Sequence, residues 1–335
     1  MQSYGRTHPR LSRMPHLVTK FDNVMKYQLH VLSNRAERLW QTAADNACLS
    51  LQGNTLVSYL DPFRTTSLKD MVLPKVSAHI QVLARKILNP LSDKRVFPTL
   101  LQQNNCSHLS PRTFESIEEA IIFSKGKNRL WFLKNIFGTA GEGMEFVKTI
   151  DLVKIRFEKH YVIQEGVDDL ELFEGKKFVT RVYLLCRSKK LYISQRAFCV
   201  VHGTDYDLNN TDYDMQINHA GYAAAGSPIA LKPLDKIEYH RLVLSQSIKL
   251  FSYLIPAISK VHYETNKFRY AIFGADILLK KNGELSLIEI NTFPIFTHTD
   301  PIISEINVPF LTSGLEHMTG MGNNKKELIE LGQSA

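Results

Sequence analysis

Residues 271–291 read AIFGADILLKKNGELSLIEIN. Two apolar runs, 271–280 and 285–290, flank Lys281-Asn282-Gly283-Glu284. Asn282-Gly283 predicts a hairpin turn, because both residues tolerate positive φ. Three polar side chains interrupt the apolar runs: Asp276, Glu289 and Asn291. Counted from the turn, Asp276 and Glu289 fall at comparable heights on neighbouring strands. Glu289 and Asn291 are two apart and share a face. Oxygen donors at an apolar rim need a cation or hydrogen-bond donors to offset their desolvation. Mg²⁺ suits such a set, since it takes a few side-chain oxygens and leaves positions for water and phosphate. The plainer alternative is an ordinary strand acid beside a strand-ending Asn.

Upstream lie further β-rich runs: 130–135, 144–147, 161–164, 178–187 and 191–201, the last two joined tightly at Lys189–Lys190. The segment WFLKNIFGTAGEGM (131–144) ends an apolar strand at Lys134 and continues into a loop carrying Gly138, Gly141 and Gly143. Glycines let backbone N–H groups approach phosphate oxygens, and a lysine beside them neutralises charge. The pattern is neither a Walker A loop nor a dinucleotide fingerprint, because no helix follows at once. A plain hairpin is the alternative. YVIQEGVDDL (161–170) is a strand that runs into polar residues and could offer backbone groups to a flat base edge. Lys177, Val179 and Arg181 share one strand face, and Arg196 lies on the partner strand; cations so placed repel unless an anion joins them. The acidic run from Asp205 to Asp214 resembles the start of a calcium loop but has Asn210 at the sixth position and Gln216 at the twelfth, which excludes that reading. His219 has no identifiable partner.

The N-terminal half reads as helical. Residues 22–47 and 76–88 have apolar positions near helical spacing. Residues 99–113 read as a polar loop. Glu115–Phe123 predicts a short helix that Ser116 and Glu119 could cap, and 237–260 a longer one that Pro256 bends or ends. The class is α+β, helical early and sheet-rich later. The chain has 335 residues, enough for two or three packed units. Its 44% hydrophobic and 22% charged residues exclude a disordered or fibrous chain. No apolar run approaches the roughly 20 residues of a membrane span, so no membrane partner is expected. Four cysteines, Cys48, Cys106, Cys186 and Cys199, lack metal-ligand spacing and suit a reducing, cytoplasmic setting. The basic start lacks the apolar core of a secretory signal. The net charge of +8 favours an acidic partner. No nucleic-acid recognition motif accompanies that charge, so no nucleic-acid partner is expected.

In this order the pieces resemble the ATP-grasp fold and, within it, the tubulin–tyrosine ligase-like family. FGADILLK followed by LIEINTFP is the most specific part; GTAGEGM, GKKFVTRVYLL, the Arg196 strand, INH (217–219) and IPAISK (255–260) fall in family order. The resemblance spans roughly residues 60–297. It implies a nucleotide held between two α+β domains, with a smaller N-terminal domain. The boundaries would be an N-terminal region 1–62, a central ATP-grasp domain with the phosphate loop 63–165, a C-terminal ATP-grasp domain with the metal site 166–322 and a polar tail 323–335.

By the same resemblance, ATP and Mg²⁺ are the cofactors. Lys134 holds the α- and β-phosphates, and the loop through Gly141 and Gly143 closes over them. Gln164, Glu165, Gly166 and Val167 meet adenine, and Lys177 reaches the ribose. Arg181 and Arg196 bind the γ-phosphate and the acyl phosphate, and Asn218 also faces the phosphates. Asp276, Glu289 and Asn291 hold Mg²⁺, which makes Arg181, Arg196 and Glu289 the catalytic set. Three positions depart from the family pattern: Glu165 replaces a lysine, Val179 an aspartate, and Thr65 a basic residue. The implied reaction joins an amino acid to a protein carboxylate through an acyl phosphate. Tubulin's acidic tail is the family's acceptor, a free amino acid the co-substrate, and a monomer the expected state. Arg10, Arg13, Lys20, Arg64, Lys69 and Lys75 are candidates for the tail-binding surface. Two rivals remain: a nucleotide- or tubulin-binding pseudoenzyme, which Glu165 and Val179 motivate, and an ATP-grasp ligase with another substrate.

Overall fold

The computed structural model describes residues 28–49, 51–62, 75–138, 143–217, 226–320 and 327–332. Among the described residues, thirteen strands form two sheets. The large one has nine strands in the order β1 (Leu29–Ser33), β2 (Thr55–Tyr59), β3 (Ala78–Val82), β11 (Arg269–Leu279), β8 (Lys176–Arg187), β9 (Lys190–Asp205) and β10 (Ala230–Pro233). β12 (Leu285–Asn291) also pairs with β11, and β13 (Leu328–Leu331) with β9. The first three strands and the β3–β11 junction are parallel; the remaining pairs are antiparallel. The small sheet runs β4 (Thr113–Phe114), β7 (Tyr161–Glu165), β5 (Leu130–Asn135), β6 (Glu145–Lys148).

β11 is buried at every position after Arg269 because helices or loops cover both its faces. That explains why it reads as a continuous apolar run rather than an alternating one. Its core joins Tyr183, Phe198, Phe273, Phe296 and Phe310 with Phe251 and Leu254 of the helix His240–Leu254. A separate, smaller core under the small sheet holds Trp131, Leu133 and Ile163 against Ile117 and Ala120 of α4 (Ile117–Ser124). The Glu119 N–H donates to Ser116 Oγ at 3.3 Å, which caps α4 at the expected residue.

Three expectations for the N-terminal half are corrected. Residues 22–47 are not one helix: β1 comes first, and α1 begins at Glu37 (Glu37–Asn46). Trp40, Ala43 and Ala44 supply its buried face, while Ser33 and Asn34 break the chain before it. Residues 76–88 begin as β3, whose Ala78, Ile80 and Val82 alternate as well as they repeat helically. Pairing on both sides, with β2 and β11, decides the ambiguity; α2 (Arg85–Ser92) follows. Residues 99–113 begin inside a helix, α3 (Val96–Gln103), which buries Phe97 and Leu101. Pro98 sits in its first turn, where a missing N–H costs little.

β3 lies in the large sheet, Leu88 and Leu91 of α2 and Phe97 and Leu101 of α3 pack into its core, and the small sheet starts at Thr113. Two turn readings also change. At the β11–β12 hairpin only Gly283 has positive φ (84°), and the loop closes by Lys280 N–H donating to Glu284 O at 2.9 Å. Ser188 (50°) and Lys189 (59°) both have positive φ and join β8 to β9 one position earlier than expected. Arg10, Arg13, Lys20, Arg64, Thr65, Lys69, Gly141, Asn218 and His219 lie outside the described residues.

Candidate functional site

Strand register builds the site's anionic half. Arg181 of β8 pairs with Asp276 of β11, and Asp276 pairs with Glu289 of β12. Directly opposed residues point to the same face, so one cation and two carboxylates stand in a row. Asn291 lies one step on, opposite Gly274. A Cβ on Gly274 would come within 3.1 Å of Arg181 Cδ and 3.0 Å of Pro294 Cβ, so the glycine of FGAD makes room for the arginine stem.

Arg181 grips Asp276 with both prongs: Nε to Oδ1 at 2.5 Å and Nη2 to Oδ2 at 2.8 Å. Asn291 Nδ2 donates to Glu289 Oε1 at 3.0 Å and to Asp276 Oδ2 at 3.4 Å. Burial pushes the Asp276 carboxyl up against the pull of Arg181, and the neighbouring Glu289 adds to the rise. Burial also opposes ionisation of Glu289, but the Lys134 ammonium, the Asn291 amide and Arg181 hold it down at about 2. Two carboxyl groups this close and this dry call for a cation beyond Arg181. Asp276, Glu289 and Asn291 are the hard-oxygen set that would hold Mg²⁺, with phosphate and water completing its shell.

The small sheet supplies the facing half. Phe132 and Lys134 of β5 share a face, and Gln164 of β7 lies opposite Phe132. Lys134 Nζ donates to Gln164 Oε1 at 2.5 Å, and Gln164 Nε2 to Thr113 Oγ1 at 3.1 Å. Lys177 crosses from the large sheet. Its Nζ donates to Gln216 O at 2.8 Å and stands 5.3 Å from the Phe132 ring centroid. Lys134 and Lys177 are 6% and 5% exposed, and neither pairs with a carboxylate within 4 Å among the described residues. Burial lowers Lys134 to about 8. Burial and the like charge of Lys134 lower Lys177 to about 7. Two buried ammonium groups with no carboxylate paired within 4 Å among the described residues form a seat for a polyanion.

A third cation, Lys94, was not singled out from the sequence. Its Nζ donates to the carbonyl of Gly138, at the entry to the glycine loop, at 2.7 Å. Burial lowers its pKa while Glu289 raises it, so it stands close to the carboxylate row too. Asp93 turns the chain there by accepting from the N–H groups of Arg95 and Val96. Thr292 Oγ1, just beyond Asn291, meets Ser92 Oγ at 3.4 Å. Nothing near Lys94 in sequence signals this, because its partners lie 44 or more residues away.

The other candidate residues divide. Gly166 N–H donates to Leu130 O at 2.8 Å, and a Cβ there would lie 3.0 Å from that oxygen. The close approach fixes the strand exit where Val167 becomes half-buried. Glu165, in place of a lysine, forms an ion pair with Arg129, which is also 3.9 Å from Asp168. Arg129 thus returns a positive charge to that edge. Gly143 has φ +66°, the left-handed conformation that suits glycine. Arg196 is not gathered into the cluster. Its Nε and Nη2 donate to Glu327 at 2.6 and 2.7 Å and its Nη1 to Glu305 O at 3.1 Å. The β9 irregularity opposite Tyr183 re-aims it toward that edge.

Together, a cation-braced carboxylate row on one sheet faces a lysine-lined wall on another. The architecture is the ATP-grasp fold: a curled mixed sheet and a smaller sheet, with this array of charges between them. No family model and no curated protein matches the sequence. Among solved structures the chain is similar to the C-terminal domain of Pby1 from K. lactis, an ATP-grasp enzyme described as interacting with the mRNA decapping enzyme Dcp2. The TM-score is 0.61 at 14% identity, over 91% of this chain and 98% of that one. No helix among the described residues is long and apolar enough to cross a membrane.

The lysines make one consequence measurable. Phosphates favour the ammonium forms, so nucleotide binding raises both pKa values above about 7 and 8. Between pH 7 and 9 binding therefore takes up protons, and affinity falls as pH rises through that window. Calorimetric titration with MgATP in Tris and in HEPES reads the uptake directly. Zero uptake at pH 8 would separate these lysines from the phosphates.

Proposed function

We propose that this chain is an ATP-dependent ligase that joins an amino acid to a protein carboxylate through an acyl phosphate. One observation carries the reading: Asp276, Glu289 and Asn291, braced by Arg181, face two buried lysines that have no carboxylate paired within 4 Å among the described residues. A carboxylate is a poor electrophile, and phosphorylation activates it. That step needs positioning and charge neutralisation rather than a protein nucleophile. Mg²⁺ supplies Lewis acidity at the β- and γ-phosphates when bound. Lys134 and Lys177 hold the polyphosphate, while Arg181 keeps Asp276 ionised and aimed. Gln164 fixes Lys134, and the strand exit at Val167 offers backbone to the base, the N–H groups of Glu165 and Gly166 being held by Arg112 O and Leu130 O. The neighbour's description as an ATP-grasp enzyme supports ATP as co-substrate.

The acceptor we infer is an acidic protein tail, with tubulin's the first to test. The family resemblance and a chain charge of +8 support it. Arg196, tied to Glu327, weakens the case for its own phosphate contact and gives the pseudoenzyme reading its specific support. Purified chain is incubated with MgATP, the twenty amino acids and detyrosinated tubulin, and the tubulin is weighed by intact-mass spectrometry. A mass gain of one residue is the expected result and names the amino acid. ATP consumption without a gain discards tubulin as acceptor. Neither gain nor consumption overturns the ligase.

A further inference from the structure

Two turns far apart in sequence meet at the end of the large sheet away from the carboxylate row. Seven residues of β11 separate Arg269 from Asp276, about 23 Å at roughly 3.3 Å per residue. One turn is Arg187–Lys190; the other follows the helix Ser259–Glu264 and ends at Arg269. Arg187 ties them together, donating from Nη2 to Lys267 O at 3.2 Å and from Nη1 to His317 O. Lys189 N–H donates to Thr265 Oγ1 at 3.0 Å. The corner is thus a fixed arrangement rather than two loose loops.

Its surface combines rings and cations. Tyr263 is 68% exposed and Phe268 45%. Lys189 Nζ stands 5.9 Å from the Tyr263 centroid, and Lys267 Nζ 4.9 Å from that of Phe268. Lys260 lies one helical turn before Tyr263 on the same side. The local acids are engaged: Glu264 is 3.7 Å from Arg269, and Glu330 is 2.9 Å from Lys190. Lys189, Lys260 and Lys267 have no carboxylate within 4 Å among the described residues.

We propose that this corner binds single-stranded nucleic acid, with Tyr263 and Phe268 stacking on bases and Lys189, Lys260 and Lys267 on the phosphates. Charge alone would serve an acidic polypeptide equally well. The two exposed rings favour bases, whose open faces stack on aromatics, and single strands, whose bases are free to do so.

Fluorescence anisotropy of the full chain with a labelled twelve-nucleotide oligouridylate tests this. Tyr263→Ala and Phe268→Ala are each expected to weaken binding by about 5- to 150-fold, while Tyr263→Phe retains it. The triple change Lys189→Ala, Lys260→Ala, Lys267→Ala is expected to flatten the slope of log affinity against log salt by about 2. All these side chains are on the surface, so thermal midpoints should match the wild type. Unchanged binding by the ring variants would overturn the proposal. Displacement of the oligonucleotide by a twelve-residue glutamate peptide at equal concentration would also overturn it, in favour of an acidic protein partner.

Discussion

Glu289→Gln is expected to reduce MgATP-dependent turnover by about 10³-fold or more, the scale of losing a preorganised charge at a reacting phosphate. The amide keeps the shape and one oxygen but removes the formal charge that Mg²⁺ selects. The loss should fall on kcat and on the Mg²⁺ requirement. Glu289 stands beside the buried Asp276 as well as Lys134, and burial opposes its charge. Its neutralisation therefore removes a repulsion together with an attraction, and the fold should persist. Circular dichroism establishes the fold, and phosphate release with intact acceptor gives the rate. Turnover within tenfold of wild type would remove Glu289 from the metal set and leave the carboxylate row as a structural feature.

The second large effect is on stability. Arg181→Ala leaves Asp276, 6% exposed, without the guanidinium that holds both its oxygens. Removing one partner of a buried pair costs about 3–5 kcal/mol. Replacing both with apolar residues of similar volume is often neutral, because neither charge then has to be desolvated. Hence Arg181→Ala should lower the denaturation midpoint in urea sharply, while Arg181→Met with Asp276→Leu should recover most of the loss. Both proteins should be inactive. A single variant that loses less than about 1 kcal/mol would mean that water or another group satisfies Asp276. A double variant no better than the single one would mean that the pair stabilises more than its desolvation costs. The double variant separates the two roles of Arg181, bracing Asp276 and the proposed phosphate contact: it restores packing without restoring the charge.

The β11–β12 hairpin was legible because its information is local. β11, its turn and β12 occupy 23 consecutive residues from 269 to 291, and antiparallel register follows from counting out from the turn. The count carries as far as Ile277 opposite Leu287; a bulge between Ile277 and Asp276 then sets Asp276 opposite Glu289 rather than Ile288. The β5 strand ending in Lys134, the helix capped by Ser116 and the β8–β9 hairpin were legible for the same reason. Where two periods fit one segment, as at Ala78–Val82, the sequence left the choice open. Strands on either side settled it, since an interior strand gains two ladders that a helix would forgo. The Asn282-Gly283 turn was placed correctly but its conformation was not: a three-residue loop needs positive φ at Gly283 alone.

By itself, then, the sequence determined the class, the hairpin that carries the carboxylates and the lysine strand opposite it. Only the tertiary structure decided what these groups face. It brought Lys177 against Phe132 of the other sheet, Lys94 to the glycine loop and Arg129 to Glu165. It turned Arg196 to Glu327, 131 residues away. It also joined the turns at Lys189 and Lys267 into one basic, aromatic corner. The physical reason is the range of the interactions. Pairing register and turn chemistry act between neighbours in the chain, so residue order records them. Charge pairing and burial act between whatever the fold makes adjacent, and residue order does not record that adjacency.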